Sequence, residues 1–436
     1  MLDGGDASVA GADRTEGRGR IVRNIAALVI AQVVMKVVNI AVAVLMVRWL
    51  GVEALGEYAY ILAFCFPFGA IADFGLATLA TREISRDRTR AAAIVATTRR
   101  LVLTLSAVSI VVMLTVAAAL GHDRGTMLGI ALTAVSSLLA AGIAVNLAML
   151  AFARTLAGPV ERGVTPSGHA RAMVIQALPV GLLMVAFALY YRVDMVMLRW
   201  LRGAEDVGVY AAAYRFIDAI ALLAASIGGP FFPRLSSVVD RDPGAARALL
   251  EDVWRPLLAL ALPLSIGLAL VADPLVVALF GADFAAAAGA VRILAGTVVP
   301  LFWVTIANHA LIATDRIRTL AIVYTISLGL NVVLNVILIP PLGADGASLA
   351  TVVAEWVNLA LVVVVLRRAF GVTFAMASLW RYPVAAGVMA LVVAALLPHQ
   401  LAGAIVAGGL VYPVALLIAG YSRSADMSGL KRLLAR

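Results

Sequence analysis

The stretch "RWLGVEALGEYAYILAF", Arg48 to Phe64, decides the fold, because "RWLRGAEDVGVYAAAYRF" repeats it at Arg199 to Phe216. With one residue inserted, the two align at Arg48/Arg199, Trp49/Trp200, Leu50/Leu201, Gly51/Gly203, Glu53/Glu205, Gly56/Gly208, Tyr58/Tyr210, Ala59/Ala211 and Phe64/Phe216. Nine identities in seventeen positions mark an internal repeat, not two interfacial turns that happen to look alike. The glycines suit a tight turn and a helix start. Trp and Tyr suit the belt at a membrane–water interface, and the acid stands near an exposed helix amino terminus, where negative charge is favourable.

Around these turns the chain has a membrane composition: 63% of its 436 residues are hydrophobic and only 14% charged. A soluble protein carries roughly 25% charged residues, and one this apolar could not cover its own surface. The net charge of +9 comes almost wholly from arginines that punctuate apolar runs instead of forming a patch, which argues against nucleic acid as a partner. The single cysteine, Cys65, excludes a disulfide framework within the chain, and no Cys/His spacing suggests a metal site or cofactor. The first apolar run is long enough to span and shows no clear cleavage site, so it reads as a retained first helix.

Runs of about 20 apolar residues, the length a helix needs to cross hydrocarbon, number twelve: 25–47, 56–80, 101–120, 127–152, 173–198, 208–232, 256–280, 286–313, 319–339, 347–366, 380–397 and 401–421. Charge tests this count, since short cytoplasmic loops hold the Lys and Arg. With the amino terminus cytoplasmic, the inner segments hold 26 of the 34 basic residues. The outer turns hold only Arg48, Arg124, Arg199 and Arg202. An error of one helix would scramble this asymmetry, so both termini are expected in the cytoplasm. Four helices then separate the two turns, which share one orientation. That is a parallel repeat, whose halves meet at the expected substrate site.

The segments "RNIAALVIAQVVMKVVNIAVAVLMVRWLGVEALGEYAYILAF", "DFGLATLATREISR", "YYRVDMVMLRWLRGAEDVGVYAAAYRF", "PFFPRLSSV", "LFGADFAAAAGAVRILAG" and "PPLGADGASLATVVAEW" together resemble the polysaccharide-transport branch of the multidrug/oligosaccharidyl-lipid/polysaccharide exporter superfamily, which includes O-antigen and repeat-unit flippases. The resemblance implies two helical lobes around a central cavity, sometimes followed by an extra helix pair. It implies movement of a lipid-linked oligosaccharide, on an undecaprenyl diphosphate, across the bacterial cytoplasmic membrane by alternating access, with membrane lipid and other polysaccharide-assembly proteins as partners and no enzymatic step. Relative to the family, this chain has only a polar connector, Ala157 to Arg171, where two further helices usually stand. The expected organisation is therefore a tail (1–24), a four-helix bundle (25–152), a connector (153–172), a six-helix bundle (173–368), an extra pair (369–421) and a basic tail (422–436). Export of drugs or cations is the alternative within the superfamily, and the cationic bias described next argues against it. A membrane glycosyltransferase or ligase usually needs a sizeable catalytic loop, whereas every outer connection here is about ten residues or fewer. A scaffold that transports nothing is the third alternative.

A charge held at the bilayer centre costs about 2.5–3.5 kcal/mol, so it normally faces protein or water. Lys36 lies at the midpoint of the first predicted helix, and Arg192 and Asp194 lie in the fifth, two residues apart and on different faces. Arg215 and Asp218, three apart in the sixth, can pair locally. Asp73 lies in the inner third of the second, and Glu355 is central in the tenth with Asn358 on its face. Lys36, Arg192 and Arg215 are the candidate substrate cations, because Lys and Arg compensate phosphate charge. Asp73, Asp194, Asp218 and Glu355 are the candidate coupling-ion carboxylates. Arg292 is expected to snorkel to the interface, and Asn331 with Asn335 to act as interhelical glue. Trp303 and Trp356 read as packing residues, with the other tryptophans at the interfaces.

Overall fold

The computed structural model describes residues 6–87, 91–137, 139, 169–239, 241–373 and 379–420, and among them every regular element is helical. In chain order these are α1 (Asp6–Asp73), α2 (Leu76–Arg86), α3 (Ala91–Ala119), α4 (124–137), α5 (His169–Leu201), α6 (Ala204–Val238), α7 (Pro243–Phe280), α8 (Ala287–Leu294), α9 (Val298–Ala313), α10 (Ile317–Leu342), α11 (Ala344–Phe370), α12 (Arg381–Leu396) and α13 (Leu401–Ile418). Nine stretches among the described residues are long and apolar enough to cross a bilayer, and α12 is a shorter apolar helix. All-helical spans follow from the solvent: in hydrocarbon each backbone N–H and C=O must find its partner within the segment.

The chain divides into two compact units, Met1–Leu50 and Gly51–Arg436. The first is helical from Asp6, so the polar segment expected as a tail continues the first span as helix. The second begins at Gly51, within the first repeated turn. The expected fourth span is described to residue 139, and α5 opens at His169; the remainder of that span, most of the connector and the basic tail lie outside the described residues.

Both copies of the turn begin with a glycine in left-handed backbone, Gly51 at φ 73 and Gly203 at φ 104. Five residues on, the copies meet. A Cβ on Gly56 would lie 1.8 Å from the Ala204 carbonyl oxygen, and one on Gly208 would lie 1.9 Å from that of Val52. Val52 and Gly56 align with Ala204 and Gly208, so the contact is reciprocal: each helix start sets its glycine on the other's backbone. Only hydrogen fits there. Arg199 closes an ion pair with Glu57 at 2.6 Å across the same junction. At the same end Arg202 bonds Asp206 at 2.7 Å and reaches the Pro340 carbonyl at 3.4 Å.

The core surrounds α6, which packs on α5, α7, α8, α9 and α11. Its run Val209–Tyr214 is buried on every side. Three consecutive alanines there, Ala211 to Ala213, permit close helix approach, the usual packing device in membranes. Some buried polar groups pair with one another, as where Asn335 Nδ2 donates to Asn331 Oδ1 at 2.9 Å. The outward faces are apolar: Val111, Leu128, Leu132, Ile322, Ile337, Leu391, Leu410 and Val414 are all exposed on the protein, a cover that suits lipid and not water.

Two local expectations are corrected. The eighth predicted span is not one α-helix, since a 3-10 turn at Ala295–Thr297 separates α8 from α9. Arg292 is exposed, and it pairs with the exposed Asp273 of α7. Trp254 is buried edge-on against Trp303, with ring centroids 5.4 Å apart. Trp49, Trp200 and Trp380 remain exposed.

Candidate functional site

The charged residues of α5 and α6 meet in a cluster of aromatic rings just beyond the repeated turn. Arg192 lies on α5, with its guanidinium carbon 4.7 Å from the Tyr191 ring centroid, 5.7 Å from Phe66 and 6.0 Å from Tyr214. Ring faces carry negative potential, and each such contact is worth about 0.5–2 kcal/mol as desolvation increases. Three of them replace the carboxylate partner that α5 itself cannot supply. Among the described residues the guanidinium closes one hydrogen bond, a long contact to Met195 Sδ at 3.9 Å. Most of its N–H donors thus remain open to an added acceptor.

The nearby carboxylates are held by hydroxyls. Asp194, 2% exposed, accepts hydrogen bonds from the Tyr210 hydroxyl, from the Met195 amide at 2.8 Å and from Thr351 Oγ1 at 3.4 Å. Asp218 accepts from the Tyr191 hydroxyl at 2.7 Å. Arg215 and Asp218, three residues apart, therefore do not pair. Tyr191 holds the carboxylate, and Arg215 Nε is buried without a hydrogen bond. The arrangement around Arg192 is an arginine presented by aromatic faces, with carboxylates near but not bound to it. Such a guanidinium can bind a phosphate or carboxylate oxygen in forked geometry.

The other predicted residues fall elsewhere. Glu355 of α11 lies beside the Tyr190 hydroxyl, one residue along α5 from Tyr191. Asp73 ends α1 just before Phe74 and Gly75, both in left-handed backbone (φ 45 and 73), where the chain turns into α2. The Phe74 ring lies against Gly181 of α5 at this bend. The Lys36 side chain lies outside the described residues. The sequence reading missed the tyrosines: Tyr191, Tyr210 and Tyr214 organise the cluster, and their spacing at Tyr210–Tyr214 on one helix face was the available signal. No group of three or more His, Cys, Asp or Glu side chains among the described residues could hold a metal.

A multi-span helical bundle with an internal repeat and a charged, aromatic-lined cluster is an architecture that membrane transporters use. Residues 101–418 match the family model described as lipid II flippase MurJ, and residues 21–162 match that of the polysaccharide biosynthesis proteins. The first match takes in well over half of the chain, and the chain belongs to the MurJ lipid II flippase family. Among curated proteins it is 29% identical over 215 residues to Probable flippase AglR of Haloferax volcanii, covering 48% of this chain and 45% of that protein. It is 27% identical over 173 residues to Probable low-salt glycan biosynthesis flippase Agl15 of the same organism, covering 39% of this chain and 37% of that protein. The chain thus spans about half the length of the first relative and somewhat over a third of the second. The fold is shared with a solved lipid II flippase MurJ in an inward closed conformation: the TM-score is 0.73 at 15% identity, over 93% of this chain and 99% of that one.

Proposed function

We propose that the protein flips a lipid-linked oligosaccharide, an undecaprenyl-diphosphate-linked repeat unit, from the cytoplasmic to the outer leaflet of a bacterial cytoplasmic membrane, with both termini in the cytoplasm. The observation that carries this reading is Arg192, a guanidinium held by Tyr191, Tyr214 and Phe66 with most of its donors uncommitted. A diphosphate is the acceptor best matched to such a group, because forked N–H donors pair with two phosphate oxygens at once. Arg215 would add positive charge for the head group while the polyprenyl chain stays in lipid. Family membership and the two flippase relatives support the same substrate class.

Transport would follow from rocking of one bundle against the other about the junction of the repeats. The reciprocal contact of Gly56 and Gly208 suits a pivot, since two smooth backbone surfaces can rotate with little loss of contact. The Glu57–Arg199 pair would fasten the outer end when the cavity faces inward. Polysaccharide-assembly proteins would supply the substrate and take up the product.

Deletion of the gene tests the reading. An undecaprenyl-diphosphate oligosaccharide, still synthesised, should accumulate on the cytoplasmic leaflet, and the wild-type gene should clear it. Unchanged leaflet distribution of every lipid-linked intermediate would refute the proposal.

A further inference from the structure

We propose that the Tyr191 hydroxyl restrains Asp218 from closing an ion pair with Arg192, which makes Tyr191 the positioning residue that keeps the guanidinium open for a diphosphate. The inference rests on the flippase reading and adds to it a competitor carried by the chain itself. Two carboxylates act on the Arg192 charge, and they are not held alike. Asp194 is buried and accepts three hydrogen bonds, from the Tyr210 hydroxyl, the Met195 amide and Thr351 Oγ1. It has little freedom to turn. Asp218 is half-buried, and among the described residues its one hydrogen bond is the 2.7 Å bond from the Tyr191 hydroxyl. Yet of the two carboxylates it acts on Arg192 the more strongly.

Tyr191 is itself fixed by its ring. It stacks on Phe187 with centroids 5.8 Å apart at 11°, meets Tyr214 edge-on at 5.8 Å and lies 6.5 Å from Phe66. Packing therefore aims the hydroxyl, while the face of the same ring carries the guanidinium at 4.7 Å. A phenol suits this double task because its oxygen donates a hydrogen bond at the rim and leaves the π face free for a cation. The face holds the cation, and the rim holds the anion away from it.

A half-buried carboxylate that loses its donor must find another, because leaving it unmet costs the desolvation of a charged group. Without the Tyr191 hydroxyl, Asp218 can turn to the open donors of Arg192, and the forked arginine–carboxylate pair is a strong one. The fork that suits a phosphate would then be filled by the chain's own carboxylate. Arg215, whose Nε is buried without a hydrogen bond, is the rival donor for a freed Asp218.

The test uses the purified full-length chain in lipid nanodiscs. It reads modification of Arg192 by phenylglyoxal, mapped by peptide mass spectrometry, beside binding of undecaprenyl diphosphate. Tyr191→Phe, which removes one oxygen and keeps the ring packing, should slow modification of Arg192 and weaken undecaprenyl diphosphate binding, each about tenfold. Adding Asp218→Asn to that variant should restore both, a rescue that a merely structural tyrosine would not allow. Unchanged Arg192 modification in Tyr191→Phe overturns the proposal, as does a loss that the double variant leaves in place or a loss that falls on Arg215 instead. Wild-type protein that binds no undecaprenyl diphosphate, beside the expected pattern of Arg192 modification, would sink the flippase reading and leave the role of Tyr191 standing.

Discussion

The two copies of the repeated turn share a backbone and differ in chemistry. Gly51 and Gly203 open them in the same left-handed geometry, and Gly56 and Gly208 each take the other copy's carbonyl. Yet where the second copy has Arg192, Asp194, Tyr214, Arg215 and Asp218, the first has Ala41, Ala43, Leu62, Ala63 and Phe66. The ion pair is one-sided as well: Glu57 reaches Arg199, while the position equivalent to Glu57 in the second copy is Val209. Symmetry is kept where the copies touch one another, since a change on either side would break the same contact. Where a side chain does chemistry no mirror partner constrains it, and at these aligned positions only the second copy is charged.

The comparison can be broken most severely at its shared point. Gly56→Ala and Gly208→Ala each drive a methyl into a backbone carbonyl, which cannot rotate away as a side chain could. Each is expected to cost about 3 kcal/mol or more, and the two should cost alike because the contact is reciprocal. Thermal unfolding in detergent checks this, and a large penalty in one copy alone would end the symmetric reading.

The asymmetry is tested at Arg192. Arg192→Gln should leave folding and insertion near normal and reduce glycolipid export at least tenfold, the cost of a charge-assisted contact worth roughly 1.5–3 kcal/mol. Arg192→Lys should restore part of it, since an ammonium is a point charge without the fork. Export measured at matched protein level decides between this and a merely structural arginine.

A smaller effect is expected from making the first copy resemble the second. Glu57→Val removes an ion pair whose side chains are each 31% exposed, so about 0.2–1 kcal/mol of stability should be lost, less at high salt. Comparing unfolding at low and high ionic strength reads it directly.

The smallest change lies in the loop that leans on the first copy. The Thr126 hydroxyl donates to Asp123 and to Glu57 at 3.3 Å. That side-chain bond, with the Thr126 and Gly125 amides, holds the exposed Asp123 carboxyl below the usual carboxylate range. A lowered folded value stabilises the protein above the ordinary value near 4, and that contribution is lost as pH falls through the lower one. Thr126→Val should therefore raise the Asp123 titration towards the ordinary range and flatten the loss of stability as pH falls below about 4, as pH-dependent unfolding would record.

Much of the architecture was legible because membrane spans are written in composition. Apolar length marked the nine spans found among the described residues, and the glycine–aromatic turn marked the junction where Gly56 and Gly208 meet. The boundaries of α8 and α9 were not legible, since the residues around Ala295–Thr297 are as apolar as their neighbours and a 3-10 turn there leaves no trace in composition. The site was half legible. Arg192, Asp194, Asp218 and Glu355 announced themselves by their cost in hydrocarbon, but their partners did not. Asp218 is met by a tyrosine 27 residues earlier, and Arg192 by rings from three separate stretches. A local rule of three or four residues pointed instead to Arg215. Trp254 looked interfacial because it stands next to Arg255, and only tertiary packing buries it against Trp303.

The closing helices α12 and α13 pack on each other and on α7, through Val271, Tyr382, Ala386, Met389, Val393, Ala404, Tyr412 and Leu416. This hairpin follows α7 by about a hundred residues, so its docking surface has been made well before it emerges from the ribosome. Until it arrives, acyl chains can cover Leu262, Ile266 and Leu270 almost as well as side chains do, because lipid tails are as apolar as leucine. The hairpin is thus a detachable module. Lineages could gain or shed it with little penalty in folding, and a fusion or truncation at residues 374–378 would leave the machinery around Arg192 chemically whole.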